Sequence, residues 1–583
     1  MPTGAARVRA ITSSAHVRRL LLVAAFGAWS WAALVALNGG LRLRTPWGLV
    51  TSHSAARPLV FGAVVMATYL IWWRRYLGTD IAPARRLGRP PFALTIAMGA
   101  ALACGVHWSS FLAAGPDASG YISQAELWRQ GHLTLPAPEW LDEAAWPEAA
   151  RAAAPVGYRP GAHGQMAPTY PPGLPVLMAA FHVVGGPQAV FLVVPLFGAL
   201  AVAATYWLGR HVAGPPAGGI AAILLVTSPA FLIMLVQPMS DVPAAACWGA
   251  ALAAAFSDIR ARGAVAGLSS SLAILIRPNV TPLAAIVAVA LVCGRRTSGA
   301  RAVQLLMFVA TTSTAFVVLA LINRALFGSP FESGYGAITN LYSAADVVPN
   351  LMLYGGAMFR TQTPAILAAF ALPLLLPRTD PRWRAAVVLA LVVPAAVLGL
   401  YLPYERVKVW WFLRFLLPAY PALLASLAGV IVLGESRLPR RLSSWLPAIL
   451  TGVLAVHGVA RAAEAGVFRI RDADQRYAAA CQYADQLPPG AVLVSEVHNG
   501  TLHFYTGRDV LRWKIIRPSD IDRALDTFRR AGRPVYLVAD EFELDGFRER
   551  FRGARVLEDL QPEFVARLPA DVVVYPLAGS HLP

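Results

Sequence analysis

Asp117 is the acidic residue whose position most strongly indicates chemistry. It follows the apolar run 91–114 and opens the first long polar loop, residues 115–170. A carboxylate at the point where a hydrophobic helix leaves a bilayer is costly to place, so it is usually solvated, paired or used. As a general base, Asp117 would take the proton of an acceptor hydroxyl or amine. The structural alternative is that it caps a helix beginning near Ala118.

Two further carboxylates are candidates to support Asp117. Glu126 lies nine residues after Asp117, which is about two and a half helical turns, so the pair shares a helix face only loosely. Asp241 lies within residues 237–243 at the outer end of an apolar run, and we expect it on the same side of the membrane as Asp117. Because Asp241 is followed by Pro243, a helix-start signature is the alternative for this residue.

Four cations are expected on the outer face, Arg277, Arg360, Lys408 and Arg414, and three of them, Arg277, Arg414 and Lys408, are candidates to bind a phosphate. Arginine at a membrane interface suits a lipid-linked phosphate, because the guanidinium forms paired, charge-assisted hydrogen bonds. The alternative for each is snorkelling to the lipid headgroups. For Arg414, the aromatic neighbours and the following Pro418 and Pro421 favour a functional role.

The composition is that of a membrane protein. Of the 583 residues, 57% are hydrophobic and 14% are charged, and the mean hydropathy is +0.53, which indicates a largely lipid environment. The net charge of +18 does not indicate nucleic-acid binding, because the arginines form short clusters between apolar runs rather than one basic face. Four scattered cysteines indicate neither a disulfide framework nor a CxxC site.

About thirteen transmembrane helices are predicted within residues 1–461. The arginine clusters place the N-terminus in the cytoplasm. The tryptophan-rich loop 115–170 is predicted to form short helices in the outer membrane interface. The run 174–186 is shorter than the roughly 20 residues that a span needs, so we interpret it as an interfacial or re-entrant helix.

The last part of the chain, residues 462–583, is predicted to be a small soluble α/β domain. An odd number of spans places it outside the membrane. Strand-like runs alternate with a helical pattern at 520–530, and these runs are 491–495, 535–538 and 572–575. No glycine-rich phosphate loop occurs there, so nucleotide binding has no support. Asn499-Gly500-Thr501 matches the N-glycosylation sequon, which is a weak signal.

No metal-binding residue is predicted, and no cofactor is assigned. The histidines lack the spacing of metal ligands relative to one another. Outer-face carboxylates are suitable ligands for a divalent ion, so a metal stays an open alternative.

Five short motifs, taken in order, resemble the membrane-embedded type-C (GT-C) glycosyltransferases, in particular the bacterial branch similar to protein O-mannosyltransferases and lipid A aminoarabinose transferases. The resemblance covers residues 91–434 and departs in two ways. Two spans rather than one precede the helix leading to Asp117, and a single acid stands where many members have an Asp/Glu pair. The motifs are Asp117 with Tyr121, Glu126 and Trp128; Tyr170-Pro171-Pro172-Gly173; Met239-Ser240-Asp241-Val242-Pro243; Arg277-Pro278; and Arg414-Phe415-Leu416-Leu417-Pro418.

The resemblance implies an all-α polytopic GT-C-like fold with a C-terminal α/β domain, in a bacterial plasma membrane. It also implies a hexosyl or pentosyl transferase that moves a monosaccharide from a polyprenyl-phosphate donor to a cell-envelope acceptor on the outer face, with inversion at the anomeric carbon. The implied roles are a base (Asp117), supporting acids (Asp241, Glu126), donor-phosphate ligands (Arg277, Arg414, Lys408) and site-lining residues (Tyr121, Tyr170).

The rival interpretation is a transporter or flippase of a lipid-linked sugar, because many spans and outward arginines would serve there too. Transport predicts polar or broken helices near the midplane and comparable sites on both faces. The informative polar residues cluster instead at the outer ends of the predicted spans, which favours the transferase.

Overall fold

Most of the chain is helical. A computed structural model of the protein describes residues 15–37, 41–45, 48–52, 54–80, 90–144, 146–292, 298–336, 341–406, 408–435, 437, 446–560, 566–568 and 572–578. The first half contains a two-stranded antiparallel sheet of β1 (Leu41–Thr45) and β2 (Gly48–Ser52), and helices α1 (Ala15–Leu37), α2 (Ala56–Trp73), α3 (Leu77–Asp80), α4 (Pro90–His107), α5 (Pro116–Arg129), α6 (Ala149–Ala153), α7 (Gly173–Gly185), α8 (Val193–Ala213), α9 (Pro215–Val226), α10 (Pro229–Leu235), α11 (Asp241–Phe256), α12 (Arg262–Ile276) and α13 (Leu283–Val292).

The remaining helices of the apolar part are longer or contain irregular turns. They are α14 (Ser298–Phe327), α15 (Val347–Gln362), α16 (Trp383–Val387), α17 (Val393–Tyr401), α18 (Tyr420–Glu435) and α19 (Leu446–Glu464). A π-helical turn, Val388–Val392, joins α16 to α17. The segments Pro364–Leu375 and Trp410–Ala419 are 3-10 helical.

Among the described residues, six helices are long and apolar enough to cross a membrane. The number rises to eight if each of two bent pairs is one span, with bends of 62° between α9 and α10 and 93° after α15. Each bend occurs where a proline, Pro229 or Pro364, begins the second segment, because proline cannot donate the hydrogen bond that would continue the helix. The predicted count of thirteen is therefore not confirmed, whereas an apolar, membrane-spanning helical fold is.

The run interpreted as interfacial or re-entrant forms α7, a single helix of 13 residues. At about 1.5 Å per residue, α7 is roughly 20 Å long, which is shorter than the hydrocarbon core of a bilayer. Its far end carries exposed apolar side chains, Val183 and Val184.

The outer loop 115–170 differs from the prediction in what its tryptophans contact. The loop contains α5, α6 and a short antiparallel hairpin of β3 (Tyr158–Pro160) and β4 (Met166–Pro168). Trp140 and Trp146 are only 9% and 4% exposed and belong to a hydrophobic core shared with the C-terminal part of the chain. These two rings therefore cover a protein surface, whereas the placement of the short loop helices in the membrane interface stays a prediction.

The C-terminal part forms a five-stranded sheet. Its strands are β5 (Val492–Val494), β6 (Val510–Leu511), β7 (Val535–Asp540), β8 (Ala566–Leu568) and β9 (Val572–Ala578). Their order in the sheet is β6-β5-β7-β9-β8. The strands β5, β6 and β7 run parallel, and β7, β9 and β8 are antiparallel neighbours. The α-helices are α20 (Ile470–Ala473), α21 (Gln475–Gln486), α22 (Asn499–Thr506), α23 (Ile521–Arg530), α24 (Glu541–Arg550) and α25 (Val556–Asp559). The predicted strand runs coincide with β5, β7 and β9, and the predicted helix coincides with α23.

Candidate active site

Asp117 lies in the first turn of α5, just after the residue that turns the chain into this helix. Gly115 precedes the helix with a φ of 78°, a left-handed conformation that glycine adopts without steric cost. The Asp117 carboxylate accepts hydrogen bonds from side chains, with Tyr170 Oη 2.8 Å from Oδ1 and Arg414 Nη2 3.0 Å from Oδ2. These contacts favour a role in a site over the capping alternative.

One cavity of about 540 Å³ brings together the four charged residues that the sequence singled out most strongly. They are Asp117, Asp241, Arg277 and Arg414. They come from separate parts of the chain, namely α5, the start of α11, the end of α12 and the 3-10 turn before α18. The predicted tyrosines Tyr121 and Tyr170 also line this cavity.

Asp241 and Arg277 form a buried ion pair in the cavity wall. Asp241 is fully buried at the first position of α11, and its Oδ1 lies 2.7 Å from Arg277 Nη2. Arg277 follows the end of α12, where Pro278 stops the helix and begins a new turn. A buried charge without a partner is strongly destabilising, so each member of this pair depends on the other.

Arg414 is held by aromatic rings as well as by Asp117. Its guanidinium carbon lies 5.4 Å from the centre of the Phe412 ring and 5.2 Å from that of Phe415. The guanidinium of Arg277 lies over the same Phe415 ring at 5.5 Å. A ring face attracts cations, so Phe415 keeps two guanidinium groups close together despite their mutual repulsion. Two adjacent cations form a site suited to a phosphate dianion.

Tyrosine side chains form the polar wall around Asp117. Tyr121 donates a hydrogen bond to Ser240 Oγ at 3.0 Å, and its ring packs on that of Tyr170 with centroids 4.3 Å apart. Burial in the cavity wall raises the pKa of Tyr170 well above its usual value, so its hydroxyl stays protonated and donates to Asp117 at neutral pH. Sequence reasoning missed further polar lining residues, and these are Asn279, Asn323, Tyr335, Tyr342 and Tyr404.

Two predicted site residues lie outside the cavity lining, which is a correction to their assigned roles. Glu126 faces elsewhere on α5, with its Oε1 2.6 Å from Arg129 Nη2 and its Oε2 3.0 Å from His182 Nδ1. The hydrogen bond from Arg129 lowers the pKa of Glu126 to about 2, so Glu126 is ionised and pairs with Arg129. Lys408 is exposed and is not among the residues that line the cavity. Neither residue is placed to touch a ligand bound beside Asp117.

The carboxylates of the cavity do not form a metal site. In the part of the chain that the structure describes, no three or more His, Cys, Asp or Glu side chains are grouped as metal ligands. Asp117 and Asp241 each have a guanidinium within 3.0 Å, and a divalent cation needs several oxygen ligands free of such partners. This donor set fits two ion pairs and does not fit a metal.

Comparison with known proteins gives matches of fold. No protein-family model matches the sequence, and no curated protein matches it. Among the solved structures that match is ArnT from Cupriavidus metallidurans bound to undecaprenyl phosphate, which is 16% identical, with a TM-score of 0.52 over 84% of this chain and 98% of that chain. Another is the Archaeoglobus fulgidus oligosaccharyltransferase in the apo form, which is 13% identical, with a TM-score of 0.51 over 81% of this chain and 70% of that chain.

Both matching proteins are GT-C type glycosyltransferases, so the predicted resemblance is confirmed. At these identities the likeness shows the fold. The chain is thus an integral membrane protein with GT-C architecture.

Proposed function

We propose that the protein is a glycosyltransferase that moves a monosaccharide from a polyprenyl-phosphate donor to a cell-envelope acceptor on the outer face of the membrane. The observation that carries this proposal is the cavity in which one accessible carboxylate lies beside two guanidinium groups. Such a cavity can bind the phosphate of a sugar donor and activate the hydroxyl of an acceptor. The GT-C fold, shared with a protein that was solved bound to undecaprenyl phosphate, supports a lipid-linked donor.

Asp117 is the proposed general base. Its side chain is 37% exposed, so an acceptor hydroxyl can reach Oδ2 once Arg414 no longer donates to it. Asp241 has no exposed surface and is paired with Arg277, so its role is to fix that arginine. The two acids thus divide into one that acts on the acceptor and one that positions a cation.

Arg277 and Arg414 are the proposed ligands of the donor phosphate. As the glycosidic bond breaks, negative charge grows on the departing phosphate, and fixed cations that face it lower the barrier. Arg414 at present donates to Asp117, so a bound phosphate would take over this donor and leave Asp117 Oδ2 open to the acceptor. The lipid tail of the donor would lie among the apolar helices.

The proposed orientation rests on charge. The arginine clusters between apolar runs support an N-terminus in the cytoplasm of a bacterial cell, and with it a cavity and a C-terminal sheet on the outer face. A flippase is the second candidate, because the bent pairs α9–α10 and α15 with Pro364–Leu375 are of the broken-helix type that transporters use.

A transfer assay on matched variants of α5 tests the proposal. Purified protein in vesicles is supplied with a radiolabelled polyprenyl-phosphate sugar pool and a membrane extract as acceptor source. We expect Asp117→Asn to lower transfer by about 10²- to 10⁴-fold, which is typical for loss of a general base. Glu126→Gln, on the same helix but outside the cavity, is expected to leave transfer unchanged. Equal transfer by wild type and Asp117→Asn would refute the base, and label that crosses the bilayer while still on its lipid would favour the flippase.

A further inference from the structure

We infer that helix α22 of the C-terminal part is a positioning element for Asp117, which it controls through the loop 108–115 between α4 and α5. This inference rests on the proposed function of Asp117. The loop enters α5 from Ala113, four residues before Asp117. Both backbone groups of Ala113 are held by α22, because Thr501 Oγ1 donates to its carbonyl oxygen at 2.8 Å and its N–H donates to Tyr505 Oη at 3.0 Å.

The spacing of the two clamping residues suits a helix. Thr501 and Tyr505 are four residues apart in α22, so their side chains lie one above the other on the same helix face. Thr501 and Tyr505, which we call the clamp, therefore bind the carbonyl and the N–H of Ala113 from one face of α22. The bond from Thr501 is buried, and a buried carbonyl that loses its donor is costly to leave unsatisfied.

The loop needs such support because its backbone is strained. Phe111 has a φ of 53°, a left-handed conformation that a bulky residue adopts only when its surroundings impose it. Gly115 has a φ of 78° immediately before α5. A loop with these two turns does not hold its shape by local preference, so outside contacts decide the direction in which α5 begins and where Asp117 points.

The first residues of α22 fit closely against the same region. Asn499 Oδ1 accepts a hydrogen bond from the Val156 N–H at 2.9 Å, and a Cβ at Gly500 would collide with Ser119 Oγ on α5. Asn499 and Thr501 are buried. The Asn499-Gly500-Thr501 sequence that matches a glycosylation sequon is therefore a packing turn, and its asparagine is not accessible to modification.

A buried polar cluster fixes the start of α22 to the sheet. His498 Nε2 lies 2.9 Å from Asp540 Oδ1, and Asp540 Oδ2 lies 3.2 Å from Arg476 Nη1. The His498 ring also packs on Tyr477, whose hydroxyl faces Gly115 at the start of α5. The C-terminal part thus contacts the loop through Tyr477 of α21 as well as through α22.

Helix α22 begins at a particular place at the end of the sheet. His498 follows β5 and Asp540 ends β7. From these adjacent parallel strands the chain continues toward opposite edges of the sheet, from β5 to β6 and from β7 to β8 and β9. In open α/β sheets, the crevice between such strand ends is the usual position of a ligand. Here α22, which contacts the loop before the proposed base, begins at this crevice.

Variants of α22 separate positioning from stability. Thr501→Val removes the hydroxyl at nearly constant shape, and Thr501→Ser keeps it. Thr506→Val is the control, because the Thr506 hydroxyl donates to Leu502 O within the same helix and accepts from the Arg508 N–H. We expect Thr501→Val to lower kcat by about 10- to 100-fold, because a misplacement of about 1 Å can cost on the order of 10²-fold. The KM for the donor should change by no more than about fivefold, the most that loss of the Arg414–Asp117 pair accounts for, because Arg277 and Arg414 are not attached to this loop. Thr501→Ser should restore kcat.

Hydrogen exchange of the peptide covering residues 108–119 gives a readout that does not depend on activity. Thr501→Val and Tyr505→Phe should speed exchange in this peptide, and Thr506→Val should not. Tyr505 is 44% exposed, so Tyr505→Phe is expected to fold. It therefore tests the inference even where Thr501→Val unfolds the protein. Unchanged exchange, or a kcat for Thr501→Val equal to that of Thr506→Val, would overturn the inference. Faster exchange in a protein without transferase activity would support the clamp and refute the proposed function instead.

Discussion

Arg414 is the residue whose replacement tests the exchange of partners in the cavity. Its Nη2 donates to Asp117 Oδ2 at 3.0 Å, and its side chain is 15% exposed. We expect Arg414→Gln to weaken capture of the donor, because the amide carries no positive charge and lacks the paired N–H donors of the guanidinium. The same replacement removes the partner of Asp117, so the base becomes more accessible even as the donor is lost.

The expected size follows from two opposing effects. A hydrogen bond to a charged group contributes about 1.5–3 kcal/mol, or about 10- to 160-fold in a dissociation constant. Binding in the wild type must first break the Arg414–Asp117 pair, and a partly exposed pair contributes up to about 1 kcal/mol. We therefore expect Arg414→Gln to weaken binding by about tenfold. Asp117→Asn removes the competing carboxylate, so it should tighten binding of the phosphate by up to about fivefold while abolishing transfer.

The assay is binding of undecaprenyl phosphate to the purified full-length chain, measured for both single variants and the double variant. If phosphate and Asp117 compete for one guanidinium, the tightening caused by Asp117→Asn disappears in the Arg414→Gln background. Arg406→Gln is the control, because Arg406 pairs with Asp346 at 3.0 Å and lies outside the cavity lining. Equal affinities for wild type, Arg406→Gln and Arg414→Gln would refute the phosphate role of Arg414.

Two further predictions concern buried carboxylates. Asp241→Asn should destabilise the fold by about 3–5 kcal/mol, because it leaves Arg277 buried without a counter-ion, and a lower thermal midpoint with the same loss in Asp241→Ala would check this. Burial raises the pKa of Glu543 to about 7, above its unfolded value of about 4.3, so between these values the folded state binds more protons and its stability falls as pH rises. Glu543→Gln should weaken the fall of the thermal midpoint with pH between about pH 4.5 and 7, and an unchanged slope of midpoint against pH would count against this assignment.

The charged residues of the site could be found from sequence because of where they stand. Asp117, Asp241, Arg277 and Arg414 each lie at the end of an apolar run or within one, where a charge is expensive and therefore conspicuous. Lys408 was predicted on the same ground, but position along a span does not give the direction of a side chain. Tyr335 gave no signal, because its place beside Tyr170 depends on a contact between distant parts of the chain.

Hydropathy predicted the class of fold better than its details. A window of about 20 residues assumes straight spans, whereas α9 and α10 meet at a bend of 62° and α13 is 10 residues long. Tryptophan patterns are equally ambiguous, because a membrane interface and a protein core both accept the ring of Trp140. The valine-rich strands were located correctly, since a strand that is buried on both faces appears as a continuous apolar run.

With Asp117 as the proposed base and Arg414 as a proposed phosphate ligand, the ion pair between them also implies an order of events. While Arg414 donates to Oδ2 and Tyr170 donates to Oδ1, both carboxylate oxygens are occupied, and the base is poorly placed to accept a proton. A donor phosphate releases Oδ2 but leaves the bond from Tyr170, so the carboxylate stays oriented as it becomes available. Donor binding should therefore precede productive acceptor binding, and water is not activated in an empty cavity. After transfer, the carrier phosphate keeps Arg414 until it leaves, and its departure lets the ion pair form again.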